Sequence, residues 1–191
     1  MSNKLVIDSR LIRAALVCVA KKDPRYYLQG IHITPRYIEA TNGHVALRME
    51  HGIRTNKNAI ISFAGAIPAR SETTEIHFSK EPYAVHRDEA GERIGFTVLK
   101  ILDGRFPDME RVMPKTVDLN ATPAISAHYL SYPLKMFGKD SDLLRVRLAP
   151  SGETTACRLQ FDRLLMEKFG NAEFVVMPMR YSVEDFGEVN S

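Results

Sequence analysis

The chain opens with a short apolar run at residues 5–7, followed by a segment whose apolar positions recur with helical spacing. At 100° per residue, one face of that segment collects five apolar side chains: Leu11, Ile12, Ala15, Leu16 and Val19. Asp8 or Ser9 can cap the helix, and Asp23-Pro24 can end it. The pattern therefore predicts a strand and then an amphipathic helix from residue 10 to about residue 22.

The rest of the chain is mostly short strand-like runs separated by turn residues. These runs lie at 26–34, 37–49, 59–63, 75–78, 83–87, 94–100, 124–126, 143–148, 155–161 and 173–177. Asn42-Gly43 divides the second run as a hairpin turn. Residues 64–69 are predicted to form a short helix or a turn, and residues 128–137 a helix. A strand–helix–strand–strand–strand pattern thus occurs three times, roughly 55–65 residues apart. This order predicts an α+β fold whose antiparallel sheets are covered on one side by helices.

Composition excludes several classes of protein. The chain has 191 residues, of which 45% are hydrophobic and 26% charged, and it lacks an apolar run of the roughly 18–20 residues that span a bilayer. Its N-terminus does not resemble a signal peptide, and Cys18 and Cys157 are too few for a disulfide framework or a zinc module. We therefore expect a cytoplasmic protein. The net charge of +3 permits an anionic partner without requiring one.

The sequence does not favour catalysis. Nucleotide-binding glycine loops, zinc-protease motifs and serine-hydrolase motifs do not occur in it. Asp103, Asp108 and Glu110 form a carboxylate cluster, but such residues are common in turns for local reasons. Cys18 lies on the apolar side of the first helix, and His44 follows a turn. We expect neither an enzyme nor a bound cofactor or metal.

Two segments are candidates for binding. Residues 9–25 carry five bases against one acid, and Tyr26 and Tyr27 follow directly. The bases are Arg10, Arg13, Lys21, Lys22 and Arg25. Bases beside aromatic rings suit nucleic-acid phosphates and stacking, although a solvated helix face has the same composition. Near the other end, Met177-Pro178-Met179 is either an adaptable apolar binding surface or the end of a core strand.

Four segments, taken in order, resemble the bacterial DNA polymerase III beta subunit family, the sliding clamps. They are residues 25–30 (RYYLQG), 40–44 (ATNGH), 103–114 (DGRFPDMERVMP) and 175–180 (VVMPMR). The resemblance spans residues 4 to 181 and implies the DNA-clamp fold, with three modules, sheets outside and helices inside. It further implies a two-module domain at 1–115, similar to the family's middle domain. Residues 116–191 would form a single module with a polar tail, as in a shortened clamp of a phage or mobile element.

The resemblance also implies two sites. The family's duplex-facing surface matches Lys22, Arg25, Tyr26 and Tyr27, next to the basic helix residues Arg10, Arg13 and Lys21. The family's hydrophobic pocket for clamp-binding peptides matches Leu28, Thr41, Gly43, His44, Pro107, Arg111, Val112, Val175, Met177, Pro178 and Met179. Val45 stands where the family commonly has arginine, which leaves the choice of peptide open.

These features lead to two hypotheses. The first is a processivity factor that encircles double-stranded DNA and tethers a DNA polymerase or clamp loader, sliding because phosphate contacts are insensitive to sequence. Family rings contain twelve modules, so three modules per chain imply four copies, and an odd module with an exposed apolar face implies a homo-oligomer. The alternative is a clamp-derived protein that binds clamp-binding peptides without encircling DNA.

Overall fold

The computed structural model describes residues 4–138, 144–182 and 185. Within them the strands are β1 (Lys4–Asp8), β2 (Ile31–Ile33), β3 (Tyr37–Thr41), β4 (Val45–Glu50), β5 (Ala59–Phe63), β6 (Thr73–His77), β7 (Tyr83–Arg87), β8 (Arg93–Leu102), β9 (Val146–Ala149), β10 (Cys157–Phe161) and β11 (Glu173–Val176). The helices are α1 (Ser9–Val17), α2 (Met109–Val112), α3 (Ala127–Leu130), α4 (Tyr132–Phe137) and α5 (Arg163–Lys168), with a 3-10 turn at Tyr26–Gln29.

The eleven strands of this described part form one antiparallel sheet, in the order β1-β6-β7-β8-β5-β2-β3-β4-β11-β10-β9. The long strand β8 joins the two halves of the sheet, since it pairs with β7 through residues 93–98 and with β5 through residues 99–102. The last three strands are attached through β4, where Val45 lies opposite Val176. The predicted α+β class with antiparallel strands is confirmed.

The repeated pattern defines three units, here named unit 1 (residues 4–50), unit 2 (59–102) and unit 3 (124–176). Units 1 and 2 pair reciprocally: the first strand of unit 1, β1, pairs with the second strand of unit 2, β6. In return, the first strand of unit 2, β5, pairs with the second strand of unit 1, β2. Each unit therefore completes the sheet of the other.

Unit 3 packs on unit 1 within the same chain, so part of the apolar surface of this third module is covered without a second copy. Helix α4 lies against α1, and Cys18 Sγ is 3.4 Å from Met136 Sδ. Phe137 contacts the rings of Phe161 and Phe169 and is fully buried in the same core as Ile12. The apolar face of α4 is thus largely satisfied without a second chain. The proposed domain boundary at residues 115 and 116 stays a prediction.

Helix α1 is shorter than the predicted helix at 10–22. It begins at the Asp8 cap, whose carboxylate accepts from Arg10 N, and it ends at Val17. Ala20 N–H then donates to Leu28 O at 2.8 Å, and this tertiary bond replaces a further helical turn. The helix therefore stops well before the Asp23-Pro24 pair, and Lys21 does not lie on it.

Of the two alternatives predicted for residues 64–69, a short helix or a turn, the structure has the turn, since unit 2 contains no helix between β5 and β6. The six residues include Gly65 and Pro68, both of which disfavour a helix interior. In place of a helix, buried hydroxyls and a histidine form a hydrogen-bonded chain under α1. Ser9 Oγ lies 2.7 Å from Thr74 Oγ1, which lies 3.0 Å from His86 Nδ1. Burial lowers the pKa of His86, and the nearby charge of Arg13 lowers it further.

Several other strand and helix boundaries in the structure differ from the predicted ones, for local reasons. The predicted run at 26–34 starts with a 3-10 turn, and only Ile31–Ile33 is a strand. The predicted helix at 128–137 is divided at Ser131, because Pro133 has no N–H to continue the helical ladder. Residues 124–126 are not a strand, whereas α2 and α5 were not predicted. The hairpin at β9 and β10 is confirmed, although part of its predicted first strand, residue 143, lies outside the described residues.

Candidate functional site

A cavity of about 560 Å³ opens where β4 meets β11, between sequence-distant segments. Nine residues of the predicted peptide pocket line it: Leu28, Thr41, Gly43, His44, Pro107, Arg111, Val112, Val175 and Met177. Its apolar floor is rigid, because Leu28, Val45 and Val175 are each at most 2% exposed. The arrangement offers an apolar groove with cationic side chains at its rim.

The turn before β4 is shaped by side-chain hydrogen bonds. Thr41 Oγ1 donates to Val45 O at 2.6 Å and accepts from Gly43 N–H at 3.1 Å. The Asn42 carboxamide oxygen accepts from the N–H groups of His44 and Val45. Gly43 has φ +88°, which favours glycine, and a Cβ there would lie 2.8 Å from the Arg25 guanidinium. The turn thereby holds His44 at the cavity mouth, where its ring stacks on Tyr129.

The opposite wall is the segment that contains α2. Asp108 caps α2, and Met109 and Met113 are buried against Val175 in a small core of their own. Arg48 fixes this wall to the sheet, since its guanidinium binds both Glu110 on α2 and Glu173 on β11. The second of these ion pairs is 2.7 Å long. One buried cation therefore joins the wall to both strands of the cavity floor.

Of the predicted pocket residues 177–179, only Met177 lies at the cavity. Met177 N–H donates to His44 O at 2.8 Å, and the Met177 side chain lines the cavity while remaining 42% exposed. Pro178 and Met179 do not line it. Met179 N–H instead donates to Ala124 O, so the chain turns away from the cavity after Met177.

The lining also includes residues that the sequence did not indicate, namely Thr154, Thr155, Ala156 and Pro114. The first three belong to the connection between β9 and β10, which reaches the cavity only because β10 pairs with β11. Nothing in the spacing of these residues could have revealed that placement. Val45 is also in the lining, so the position with valine in place of the family's arginine faces the groove.

The predicted DNA-binding residues are dispersed. Arg13 and Lys21 line a second cavity of about 670 Å³ between α1 and α4, together with Lys135 and His128. None of the residues lining this cavity is acidic. Lys135 was not among the predicted DNA-binding residues, although the helical spacing of residues 128–137 could have shown which polar side chains share one face of that helix. This cavity, named here the basic cavity, brings together Arg13, Lys21 and Lys135.

Three predicted cations are already engaged. Arg10 forms an ion pair with Asp8 at 2.6 Å, and Arg13 donates to the carbonyl oxygens of Pro68 and Ser71. Arg25 binds Asp23 and lies at the cavity between β4 and β11 instead of on the basic helix. Hydrogen bonds from Arg25 lower the pKa of Asp23 to about 2. Asp8 lies outside residues 9–25, so its ion pair with Arg10 offsets one base that the charge count of that segment left unopposed.

The remaining members of this set are Lys22 and the two tyrosines. Lys22 and Tyr26 are exposed, whereas Tyr27 is half-buried against Gly104 and the small core around Met109. Tyr26 is therefore the one of the two rings that is available for stacking on a ligand.

Two of the three carboxylates considered for catalysis, Asp108 and Glu110, have structural roles. Asp108 caps α2 and pairs with Arg111, and Glu110 binds Arg48. In the described part of the chain, no group of three or more metal-ligating side chains occurs. Burial raises the pKa of both cysteine thiols. No described helix is long and apolar enough to cross a membrane.

Comparison with known proteins identifies the same family that the four motifs indicated. The chain is 26% identical over 133 residues to the beta sliding clamp of Haemophilus influenzae, covering 63% of this chain and 34% of that protein. The DNA polymerase sliding clamp of Bacillus subtilis superposes with a TM-score of 0.63 at 13% identity, covering 94% of this chain and 64% of that one. The beta subunit of Streptococcus pyogenes DNA polymerase gives 0.63 at 14% identity, covering 95% and 67%. No protein-family model matches the chain.

These likenesses confirm both the predicted resemblance and the clamp fold. The chain spans about a third of the length of the curated relative that it matches. Among the solved structures is a Pseudomonas aeruginosa clamp bound to griselimycin, with a TM-score of 0.57 and 17% identity, covering 93% of this chain and 65% of that one.

Proposed function

We propose that this protein is a DNA sliding clamp, a non-enzymatic processivity factor that holds replication proteins on duplex DNA through its peptide cavity. The observation that carries the proposal is the cavity itself, which is assembled from residues 41–45, 107–114 and 175–177 inside a clamp fold. A groove with a rigid apolar floor and a flexible thioether at its edge suits short peptides that bear Leu or Phe side chains. Self-association, with four copies closing a ring, is part of the proposal.

Peptide binding is tested by fluorescence polarisation with a labelled clamp-binding peptide. A short peptide that buries one or two large apolar side chains gains roughly 2–5 kcal/mol before ordering costs, so we expect micromolar affinity. Met177→Ala removes apolar surface from the cavity lining and is expected to weaken binding about tenfold, or about 1.4 kcal/mol. A peptide that fails to bind at millimolar concentration, or that binds equally well to Met177→Ala, contradicts the assignment.

The chain offers a comparison variant for this test. Met179 is exposed and lies two residues beyond Met177, but it points out of the cavity lining and its N–H binds Ala124. Met179→Ala is expected to change the affinity less than threefold. A larger loss for Met179→Ala than for Met177→Ala would favour the pocket outline implied by the family resemblance over the observed cavity.

We place the DNA contacts at the basic cavity. Lys21 and Lys135 are exposed at its rim, so reversing the charge of both leaves the buried core intact. Reversal is expected to abolish retention on nicked circular DNA at low salt, since phosphate contacts supply nearly all sequence-independent affinity. Lys80→Glu with Lys100→Glu is the matched control, because both lysines are exposed and outside the basic cavity. Equal retention of the two double variants contradicts this placement.

The second candidate is an interaction protein that binds clamp-binding peptides without encircling DNA. Three of the predicted DNA-binding cations favour this candidate, because they already have partners within the chain and fewer cations then face the duplex. Arg10 binds Asp8, Arg13 binds two carbonyl oxygens, and Arg25 binds Asp23. A topological clamp is retained on circular DNA and slides off after linearisation. A peptide-binding protein without a ring shows no difference between the two DNA forms.

A further inference from the structure

The edge strands at the two ends of the sheet differ in how much of their core-facing side chains is exposed to solvent. At one end, Leu5 and Ile7 of β1 point to the core and are 6% and 1% exposed. At the other end, Val146 and Leu148 of β9 lie opposite Phe161 and Leu159 and therefore share their core-facing side. Yet Val146 is 40% and Leu148 45% exposed, while the neighbouring Leu159 is 1% exposed. The core is closed at β1 and open at β9.

The backbone of β9 is open as well. Among the described residues, β9 pairs only with β10 and ends the sheet. The backbone bond nearest to its free edge is Asp118 N–H to Pro150 O, directly after the strand. Leu130 and Leu134 on the helices of the same unit are also exposed. An edge strand with apolar side chains and unpaired backbone groups is a surface that soluble proteins normally cover.

The chain itself shows how its units cover such an edge. In units 1 and 2, the first strand of each unit pairs with the second strand of the other. In unit 3, β9 occupies the place of the second strand, and residues 124–126 occupy the place of the first without pairing in the sheet. Unit 3 therefore has both halves of the pairing that units 1 and 2 make. Among the described residues, β9 pairs only with β10 and residues 124–126 pair with no strand, although Ala124 O accepts from Met179 N–H of the same chain.

We propose that unit 3 pairs with unit 3 of a second copy, so that residues 124–126 of each copy extend the sheet beside β9 of the other. This deepens the self-association included in the proposed function and identifies its surface. Direct pairing of β9 with β9 is disfavoured, since Arg147 of each copy, flanked by Arg145, would come close to its equivalent. Residues 124–126 are Ala-Ile-Ser and introduce no charge.

The register follows from the pairing of β1 with β6. There, the residue before the helix cap, Ile7, lies opposite the core-facing Thr74. The corresponding residues in unit 3 are Ile125, which precedes the Ser126 cap of α3 and packs on the core, and Val146. Ile125 of one copy then lies opposite Val146 of the other, and Ala124 lies opposite Arg147.

Sedimentation equilibrium of the full chain without DNA tests the proposal. The wild type is expected to have at least twice the monomer mass of 21.6 kDa at micromolar concentration. Leu148→Arg places a charge in the paired core and is expected to shift the particle to half its wild-type mass or to the monomer. Val6→Arg is the matched control, because Val6 is similarly exposed on the edge strand at the opposite end of the sheet. It is expected to keep the unit 3 dimer.

Two results overturn the proposal. They are a wild-type monomer at micromolar concentration and an assembly unaffected by Leu148→Arg. Protection of the β9 amides from hydrogen exchange in such a monomer would show that the same chain covers the edge. Loss of DNA retention in an intact dimer would instead count only against the DNA proposal.

A second measurement applies if Leu148→Arg does not fold. Oxidation of the Ala124→Cys, Arg147→Cys double variant is expected to give a disulfide-linked dimer on a non-reducing gel, since facing residues in paired strands lie within disulfide reach. Each single variant serves as the control. A double variant that assembles but gives no more cross-linked dimer than the single variants contradicts the proposed register and surface.

Discussion

Replacing Arg48 is expected to test how the wall of the peptide cavity is attached to the sheet. The Arg48 side chain is 10% exposed and lies over the ring of Tyr37. It binds Glu173, which is 29% exposed, and Glu110, which is 70% exposed. Arg48→Met keeps much of the volume and apolar contact of the side chain but removes both charged interactions. It leaves Glu173 with Arg158 at 3.8 Å as its remaining cation.

The expected loss follows from the burial of each partner. Hydrogen bonds to charged groups contribute about 1.5–3 kcal/mol when shielded from water, which applies to the pair with Glu173. The pair with Glu110 is exposed on one side and contributes less than about 1 kcal/mol. We therefore expect the free energy of unfolding to fall by about 2–3 kcal/mol, and the melting temperature to fall by roughly 5–10 °C for a chain of this size.

Urea denaturation followed by circular dichroism measures this loss. Arg36→Met is the matched control, because Arg36 also binds a glutamate, Glu50, but is 68% exposed. Solvent screens that ion pair, so the expected loss is clearly smaller than for Arg48→Met. In a Glu173→Gln background, Arg48→Met is expected to cost about half as much. A loss for Arg48→Met below about 0.5 kcal/mol, or one equal to that of Arg36→Met, would refute the reasoning.

Two further predictions concern the fold. Burial, with a smaller effect of Arg13, holds the pKa of His86 below its usual 6.5 in the folded state, so the folded protein favours the neutral imidazole. The free energy of unfolding should therefore fall as the pH drops below about 6.5, because the unfolded chain then binds a proton that the folded chain does not. Urea titrations of His86→Gln should lack this part of the pH dependence. Gly170 has φ +57°, and a Cβ there would lie 1.9 Å from the carbonyl oxygen of Glu50. Gly170→Ala is expected to cost about 2 kcal/mol or more, against about 1 kcal/mol for Gly91→Ala, where φ is also positive but space is open; equal losses in thermal unfolding would contradict the steric explanation.

Local patterns were reliable where the physical cause was local. The Asn42-Gly43 turn, the strand at 83–87 and the cap at Asp8 were predicted from neighbouring residues, and the structure has all three. Local reasoning failed for the end of α1, because a hydrogen bond from Ala20 to Leu28 decides it. Charge counting over residues 9–25 did not show which cations are engaged, since it could not foresee that Arg10 binds Asp8, outside that segment, or that Arg25 binds Asp23 directly.

The peptide cavity shows the same division. The motifs that resemble the clamps supplied nine of its lining residues, because a family resemblance carries tertiary information that spacing does not. The resemblance extended too far at Pro178 and Met179, where the bond to Ala124 turns the chain away. It also gave no indication of the connection at 154–156, which reaches the groove only through strand pairing.

The sequence by itself determined most of the strands, the hairpin turns between them and the start of the amphipathic first helix, since side-chain periodicity and turn residues act over a few positions. Only the tertiary structure decided that α4 of unit 3 packs on α1, that Arg48 ties three segments together, and that Val146 and Leu148 remain open at the end of the sheet. These outcomes depend on which surfaces are left uncovered after all the units have packed. No local pattern in a chain contains that information.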